Sequence, residues 1–418
     1  MALTTKLKIL AEAAKYDVSC ASSGSRRPGT SQGIGHSDGH SICHSFTPDG
    51  RCVSLLKVLL TNHCVYDCVF CVNRVSSDIP RAAFIPHEVV ELTLDFYRRN
   101  YIEGLFLSSG IFRSPDDTME QLVTVVRTLR QTHHFGGYIH LKAIPGASQT
   151  LIDEAGRLVD RLSANIELPT QADLAQLAPD KQMTVIEETM TRIQDGVLAS
   201  REDLARHRSG PSFAPAGQTT QMVIGATPST DATILATASR LYRDYDLKRV
   251  YYSAFSPYPH ADPRLPLQPP ALLREHRLYQ ADWLTRFYGF SADELTTAHD
   301  QNLAFDLDPK LAWALRHRER FPVDVNRAPR EVLLRVPGLG YKTVEKLLSI
   351  RRFHRVTVED LRTLHVPIRR VRPFVVTPDS SKVPLHLNLD REDFPALFTK
   401  PAQLELFAAA LEAASGQM

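Results

Sequence analysis

The sequence predicts an α/β chain: a parallel sheet built from six strand–helix units, followed by a small all-α module. Three observations carry this. Apolar, β-rich runs alternate with helical patterns from about residue 52 to 260. Three clustered cysteines follow the first of those runs. A basic stretch near the C-terminus holds two helical patterns on either side of Pro337-Gly-Leu-Gly340.

The expected strands cover 53–60, 102–110, 137–143, 161–167, 219–225 and 249–255. Helical patterns lie between them, for example at 87–99, 116–133 and 231–245. Such alternation argues for parallel strands joined by crossover helices. An insertion at 171–217 reads as two helices, 181–197 and 201–207, that cover the sheet's mouth or decorate a crossover. The expected divisions are 1–52 (a helix and a loop region), 53–260 (the barrel), 261–320 (a helical connector), 321–374 (the basic helical module) and 375–418 (a tail whose apolar helix suits a partner).

The 418 residues suffice for two or three domains, and 43% hydrophobic content is ordinary for a globular chain. No apolar run approaches the length of a membrane span. The N-terminus reads as an amphipathic helix with acidic Glu12 and lacks a secretory apolar core. Clustered thiols suit a reducing cytoplasm. The net charge of +2 hides an asymmetry. Residues 310–374 carry 16 Lys and Arg against 6 Asp and Glu, which leaves the rest at −8. A basic module beside an acidic remainder fits contact with a polyanion, or else a helical surface whose long side chains are solvated.

The most informative stretch is Thr61-Asn-His-Cys-Val-Tyr-Asp-Cys-Val-Phe-Cys-Val-Asn-Arg74. Cys64, Cys68 and Cys71 form a Cys-x3-Cys-x2-Cys pattern with Phe70 before the last thiol. Three thiolates can hold three irons of a [4Fe–4S] cube and leave the fourth open to a small ligand. Structural zinc is the alternative, but it wants four closed ligands. No second Cys-x2-Cys pair exists, although His63 adjoins Cys64. Three incidental buried thiols are the remaining reading. The spacing, the aromatic and the strand feeding the loop resemble the radical S-adenosylmethionine (radical-SAM) superfamily. That resemblance implies a partial (β/α)6 TIM-like barrel, a [4Fe–4S] cluster on Cys64, Cys68 and Cys71, and S-adenosylmethionine (SAM) at the open iron. It also implies chemistry at the C-terminal strand ends, where the cysteines lie.

Other strand ends become SAM contacts by the same resemblance. Ser108, Ser109 and Gly110 stand where the family often carries Gly-Gly-Glu against the methionine amine. No carboxylate is present here, but small residues still admit a ligand to the backbone. Asn165 and Glu167 end the fourth strand, in the family's place for ribose or methionyl contacts. Two apart on a strand, they are expected to point the same way. Gly225 ends the fifth strand near the family's adenine site and reads equally as a turn glycine. Lys142, Tyr252 and Ser253 either face substrate or pack ordinarily.

Residues 16–52 are rich in Gly, Ser and His and read as loop. Cys20, Cys43 and Cys52, with His36, His40 or His44, form a candidate second iron–sulfur site. Their spacing matches no compact ligand motif, and a folded lid with buried thiols is the alternative. Arg26 and Arg27 are candidate phosphate contacts.

In the basic module, 328–335 and 343–352 read as helices, with Pro329 in the first turn of one and Val344, Leu347 and Leu348 on one face of the other. The stretch resembles the helix-hairpin-helix motif of DNA repair and DNA uptake proteins. Gly338 and Gly340 would let a phosphate approach the backbone, and amides opening the second helix favour anions. Lys342, Lys346, Arg351 and Arg352 add charge. Such contacts position a protein without reading sequence. The alternative is an αα-hairpin used only for packing.

Together the modules resemble a bacterial family of radical-SAM proteins described as acting in DNA modification or repair, often encoded beside a uracil-DNA-glycosylase-like protein. The resemblance implies reductive cleavage of SAM to a 5′-deoxyadenosyl radical that abstracts hydrogen from a nucleotide. It also implies DNA, that glycosylase-like protein and an electron donor such as flavodoxin or ferredoxin as partners. A base must leave the duplex to reach a barrel mouth. Three rivals are a radical-SAM enzyme acting on RNA or protein, a DNA-binding protein with a structural or redox-sensing cluster, and a chain whose hairpin docks a partner and binds no nucleic acid.

Overall fold

The computed structural model describes residues 1–14, 42–46, 52–207, 212–258 and 262–380. The chain forms two compact units: Met1–Ser229 with Arg240–Pro270, and Thr230–Ser239 with the chain from Ala271 onward.

The first unit opens with α1 (Leu3–Ala14), which buries Leu10, Ala11 and Ala14. Strand β1 (Ile42–Phe46) pairs antiparallel with β2 (Cys52–Leu59). From β2 the sheet runs parallel and in chain order through β3 (Gly104–Ser108), β4 (Tyr138–Lys142), β5 (Arg161–Ser163), β6 (Gln218–Ile224) and β7 (Arg249–Ala254). Parallel neighbours require crossovers. These carry α2 (Pro86–Arg98), α3 (Pro115–Arg127), α4 (Gln149–Leu158), α5 (Gln171–Leu177), α6 (Met183–His207) and α7 (Asp231–Tyr245), whose second half belongs to this unit. The six parallel strands curl into a half-barrel.

The register divides the sheet into two faces. Lys57, Phe106, His140 and Arg161 share one rung, and their face continues through Ser108, Lys142 and Gln221. Here Lys57 Nζ stands 5.9 Å from the Phe106 ring centroid, the His140 ring meets Phe106 edge-on at 4.5 Å, and His140 Nε2 lies 3.1 Å from Ser163 Oγ. The opposite face carries Val58, Leu107, Leu141, Leu162, Met222 and Val250. It is the face that amphipathic crossover helices need. Tyr252 lies on this apolar face, fully buried, so it packs and does not face a substrate. Ser253 and Lys142 lie on the polar face.

Several elements differ from the sequence expectation. Residues 42–46, expected as loop, form an edge strand because β2 offers them an open ladder. The second strand stops at Ser108, since the Gly110 amide turns to Thr61. The fourth strand ends at Ser163 and not at Glu167. The pattern at 116–133 splits into α3 and a π-turn over Thr128–Thr132. The two helices expected at 181–197 and 201–207 are one, α6. Gly196 does not break it, because its bare backbone seats the Phe213 ring, whose amide bonds Ser200 Oγ at 3.1 Å. Gly156 of α4 touches the other side of the same ring.

The second unit contains α8 (Leu272–Phe287), α9 (Ala292–Leu295), α10 (Pro309–Arg316), β8 (Val323–Asp324), α11 (Arg330–Leu334), α12 (Tyr341–Ile350), α13 (Val358–Thr363), α14 (Ile368–Val371) and β9 (Val375–Val376), with β9 parallel to β8. Helices expected at 328–335 and 343–352 are thus shorter or shifted, with Pro329 capping α11 and Gly340 capping α12. Buried Trp313 centres the unit, edge-on to Phe290 at 5.3 Å. Lys310 is also buried, donates to Leu339 O at 2.6 Å and stands 4.7 Å from the Tyr288 ring centroid. Burial pushes its pKa well down.

No described helix is long and apolar enough to cross a membrane. Cys20, Arg26, Arg27, His36, His40 and the tail from 381 lie outside the described residues, as do the side chains of Cys43, His44 and Cys52. The candidate second cluster therefore falls outside the described side chains.

Gly156→Ala would place a Cβ 2.1 Å from the Phe213 ring. The variant should lose about 1–3 kcal/mol of stability in a denaturant titration.

Candidate metal centre

At the C-terminal end of β2 the chain enters the cysteine loop, which is held from several sides. The end of β3 lies against it: Leu60 N–H donates to Ser108 O at 2.8 Å, Gly110 N–H to Thr61 O at 2.8 Å, and Val65 N–H to Ile111 O at 2.9 Å. A Cβ on Gly110 would sit 2.4 Å from His63 O, so only glycine permits this approach. The segment after α5 holds the other side. Val69 N–H donates to Leu177 O at 2.6 Å and Asp67 N–H to Asp180 Oδ2 at 2.8 Å. Tyr258 Oη donates to Val69 O at 2.6 Å. Arg81 completes the clamp, its guanidinium donating at 2.5–2.9 Å to the carbonyls of Asn62, Asn73, Arg74 and Ser77.

Cys68 is buried, while Cys64, Cys71 and Phe70 are half-buried. The loop's inner turn is closed by Cys71 N–H to Cys68 O at 2.9 Å. Burial pushes the Cys68 thiol up to about 11 and the Cys71 thiol up to about 12, and charge on the other cysteines raises both further. The Asn73 amide opposes the rise at Cys71. Burial and neighbouring thiolate charge both disfavour the ionised forms of Cys68 and Cys71. Iron bound at Cys64, Cys68 and Cys71 would supply the compensating charge. Among the described residues, no three His, Cys, Asp or Glu side chains converge where a single metal ion could sit.

Lys181, which motif reading misses, stands beside the thiols with Glu167. Lys181 Nζ pairs with Glu167 Oε1 at 2.8 Å, with side chains 18% and 13% exposed. Burial opposes the Lys181 charge, but Glu167, Cys68 and Cys71 outweigh it and raise its pKa above the ordinary lysine value. Glu167 sits past β5 with φ +65, its amide on Gln221 O at 3.1 Å. Strand alternation therefore does not govern it, and the expectation that Asn165 and Glu167 point the same way along a strand fails. Asn165 is buried and its Nδ2 has no hydrogen-bond partner among the described residues, and Asn73 Oδ1 is in the same condition. Buried orphan amides of this kind ask for a ligand or water. The donor set, the glycine cradle and these orphan atoms fit a cluster and a polar ligand.

Ser108 is fully buried, and Ser109 Oγ donates to Gly110 O at 2.7 Å. Gly225 has φ +80, and a Cβ there would meet Pro270 at 2.7 Å, so its turn and packing role is plain.

In the second unit, Gly338 has φ +86 and packs where a Cβ would lie 2.7 Å from Val371. The first amide of α12 does not face outward as expected: Tyr341 N–H donates to Tyr288 Oη at 3.0 Å. Lys342, Lys346 and Arg352 are exposed. Arg351 is half-buried and donates to Ala328 O at 2.6 Å, so it is spent partly on the fold.

No family model and no curated protein matches the sequence. Solved structures with similar chains include two of HydG, a maturase of the [FeFe]-hydrogenase. One matches at 13% identity and TM-score 0.40 over 53% of this chain and 47% of that one. The other, from Carboxydothermus hydrogenoformans, matches at 12% identity and TM-score 0.41 over 53% and 48%. The chain thus spans about half the length of the HydG chains. Methylornithine synthase (PylB) matches at 14% identity and TM-score 0.39 over 84% of both chains. HemN from Escherichia coli, titled a radical SAM enzyme, matches at 15% identity and TM-score 0.33 over 60% and 55%.

Arg81→Ala removes a charged donor from four carbonyls. It should loosen the loop by about 2–4 kcal/mol and lower the iron retained per chain after anaerobic reconstitution. Unchanged iron content would show that the clamp is dispensable.

Proposed function

We propose that this chain is a radical-SAM iron–sulfur enzyme that acts on a nucleotide in DNA. One observation carries the reading. A Cys-x3-Cys-x2-Cys loop sits at the C-terminal end of the first parallel strand, clamped by Arg81 and overlaid by Gly110. A [4Fe–4S] cluster on Cys64, Cys68 and Cys71, with SAM on its open iron, supplies one-electron cleavage of SAM when reduced.

The chain's own residues do the rest. Arg81 and the glycine cradle fix the thiols before iron arrives, so little ordering is needed on binding. The backbone at Ser108–Gly110 is spent on seating the cysteine loop. Asn165 Nδ2 offers a desolvated donor at the same end of the sheet. The polar sheet face, with Lys142 at its C-terminal edge, carries groups that suit a polar substrate.

Action on DNA rests on the second unit. The surplus of ten positive charges over residues 310–374, with the exposed Lys342, Lys346 and Arg352, favours a polyanion. In this reading the hairpin docks the nucleic acid backbone, an electron donor of the flavodoxin or ferredoxin kind supplies the electron, and the target base leaves the stack. A uracil-DNA-glycosylase-like protein is a further proposed partner. A second reading keeps the radical chemistry but gives it an RNA or protein substrate; the Tyr288 cap on the Tyr341 amide favours it, because it takes one anion-binding amide away.

The reconstituted, reduced protein should release 5′-deoxyadenosine from SAM, faster with DNA than with tRNA or with no nucleic acid. Equal turnover in all three would remove DNA as substrate, and no turnover with an intact cluster would remove the radical-SAM assignment.

A further inference from the structure

The Lys181–Glu167 pair has no counterpart in the cysteine motif, yet it stands against it. Leu177 and Asp180 are bonded to Val69 and Asp67, which fixes the segment ahead of α6 beside the thiols. Lys181 is the next residue and turns its ammonium inward to Glu167 Oε1 at 2.8 Å, leaving 18% of its side chain exposed. Glu167 in turn is fixed by a left-handed backbone and by two hydrogen bonds to β6, at Gln221 and Val223. Neither charge is free to swing into solvent. Two opposite charges are therefore held at set positions in a desolvated place, where their fields act with little screening.

We propose that Lys181 and Glu167 set the reduction potential of the cluster held by Cys64, Cys68 and Cys71, Lys181 raising it and Glu167 restraining that rise. This rests on the cluster reading given above. Reduction adds one negative charge to a cluster already made anionic by its thiolates and sulfides. A nearby fixed cation favours the reduced state, and a nearby fixed anion disfavours it. The Lys181 ammonium already stabilises charge on Cys68 and Cys71. The carboxylate keeps the lysine charged and in place while cancelling part of its field.

A redox titration followed by electron paramagnetic resonance, without SAM, separates the roles by sign. Lys181→Met should shift the cluster potential downward. Glu167→Gln, which keeps a hydrogen-bond acceptor for Lys181, should shift it upward. Lys181→Arg should stay near the wild-type value. A clasp with a purely structural role would instead lower iron content in both neutral variants and give no opposed shifts, which would overturn the proposal. Potentials unchanged in fully loaded variants would overturn it as well. If Lys181→Met fails to retain iron, the upward shift of Glu167→Gln alone still decides. A wild-type protein that takes up no [4Fe–4S] cluster would instead sink the reading of the loop, and this inference with it.

Discussion

The arrangement depends on one half-buried cation. Arg81 lies ten residues beyond the last cysteine and reaches back to four backbone oxygens, one before Cys64 and three after Cys71. The loop's own backbone bonds, Cys71 N–H to Cys68 O and Val75 N–H to Tyr66 O among them, leave further carbonyls to satisfy. The guanidinium's planar fork meets several of them at once. With that clamp in place, the strand ends on either side can pack against a loop of fixed shape. Gly110 can approach His63, and the α5–α6 segment can hand over Leu177 and Asp180 as acceptors.

The sheet explains why the loop sits where it does. Six parallel strands in chain order give every crossover the same sense, so every strand's C-terminal end opens at the same rim. The two faces of these strands divide by chemistry. Apolar residues go to the helices, and Lys57, His140, Lys142 and Gln221 go to the inside of the curl. An interior of that kind costs desolvation unless it serves a ligand or an internal network, and His140 with Ser163 and Phe106 forms such a network low in the curl. The rim above it is where Asn165 and the thiols lie. On the proposed reading, a radical is generated there and shielded by the protein from water.

Local signals were legible in the sequence, and contacts between distant residues were not. Cysteine spacing is a local pattern, and each parallel strand shows as a short apolar run because it is buried on both faces. Gly338 and Gly340 announced a turn for the same reason. Arg81 and Lys181 carry no motif; their roles exist only once loops far apart in sequence meet. Glu167 misled the alternation rule because the strand ends at Ser163 and Glu167 itself takes a positive φ, and no composition signal marks that in a glutamate. The expected break between 197 and 201 did not occur, and one helix runs through Met183–His207 with Gly196 seating the Phe213 ring. The basic surplus of the last module was countable from sequence. Its distribution was not: Arg330 pairs with Glu345, Arg335 with Glu294 and Arg370 with Asp308, which leaves a smaller exposed set.

The central claim is that three thiols hold a four-iron cube with one iron open to SAM. Electron paramagnetic resonance of the reduced, reconstituted protein with and without SAM tests it most directly. The account predicts a [4Fe–4S]+ signal that changes its g-values when SAM is added and is lost in Cys68→Ala. A signal indifferent to SAM, or a centre that needs a fourth protein ligand, would contradict it.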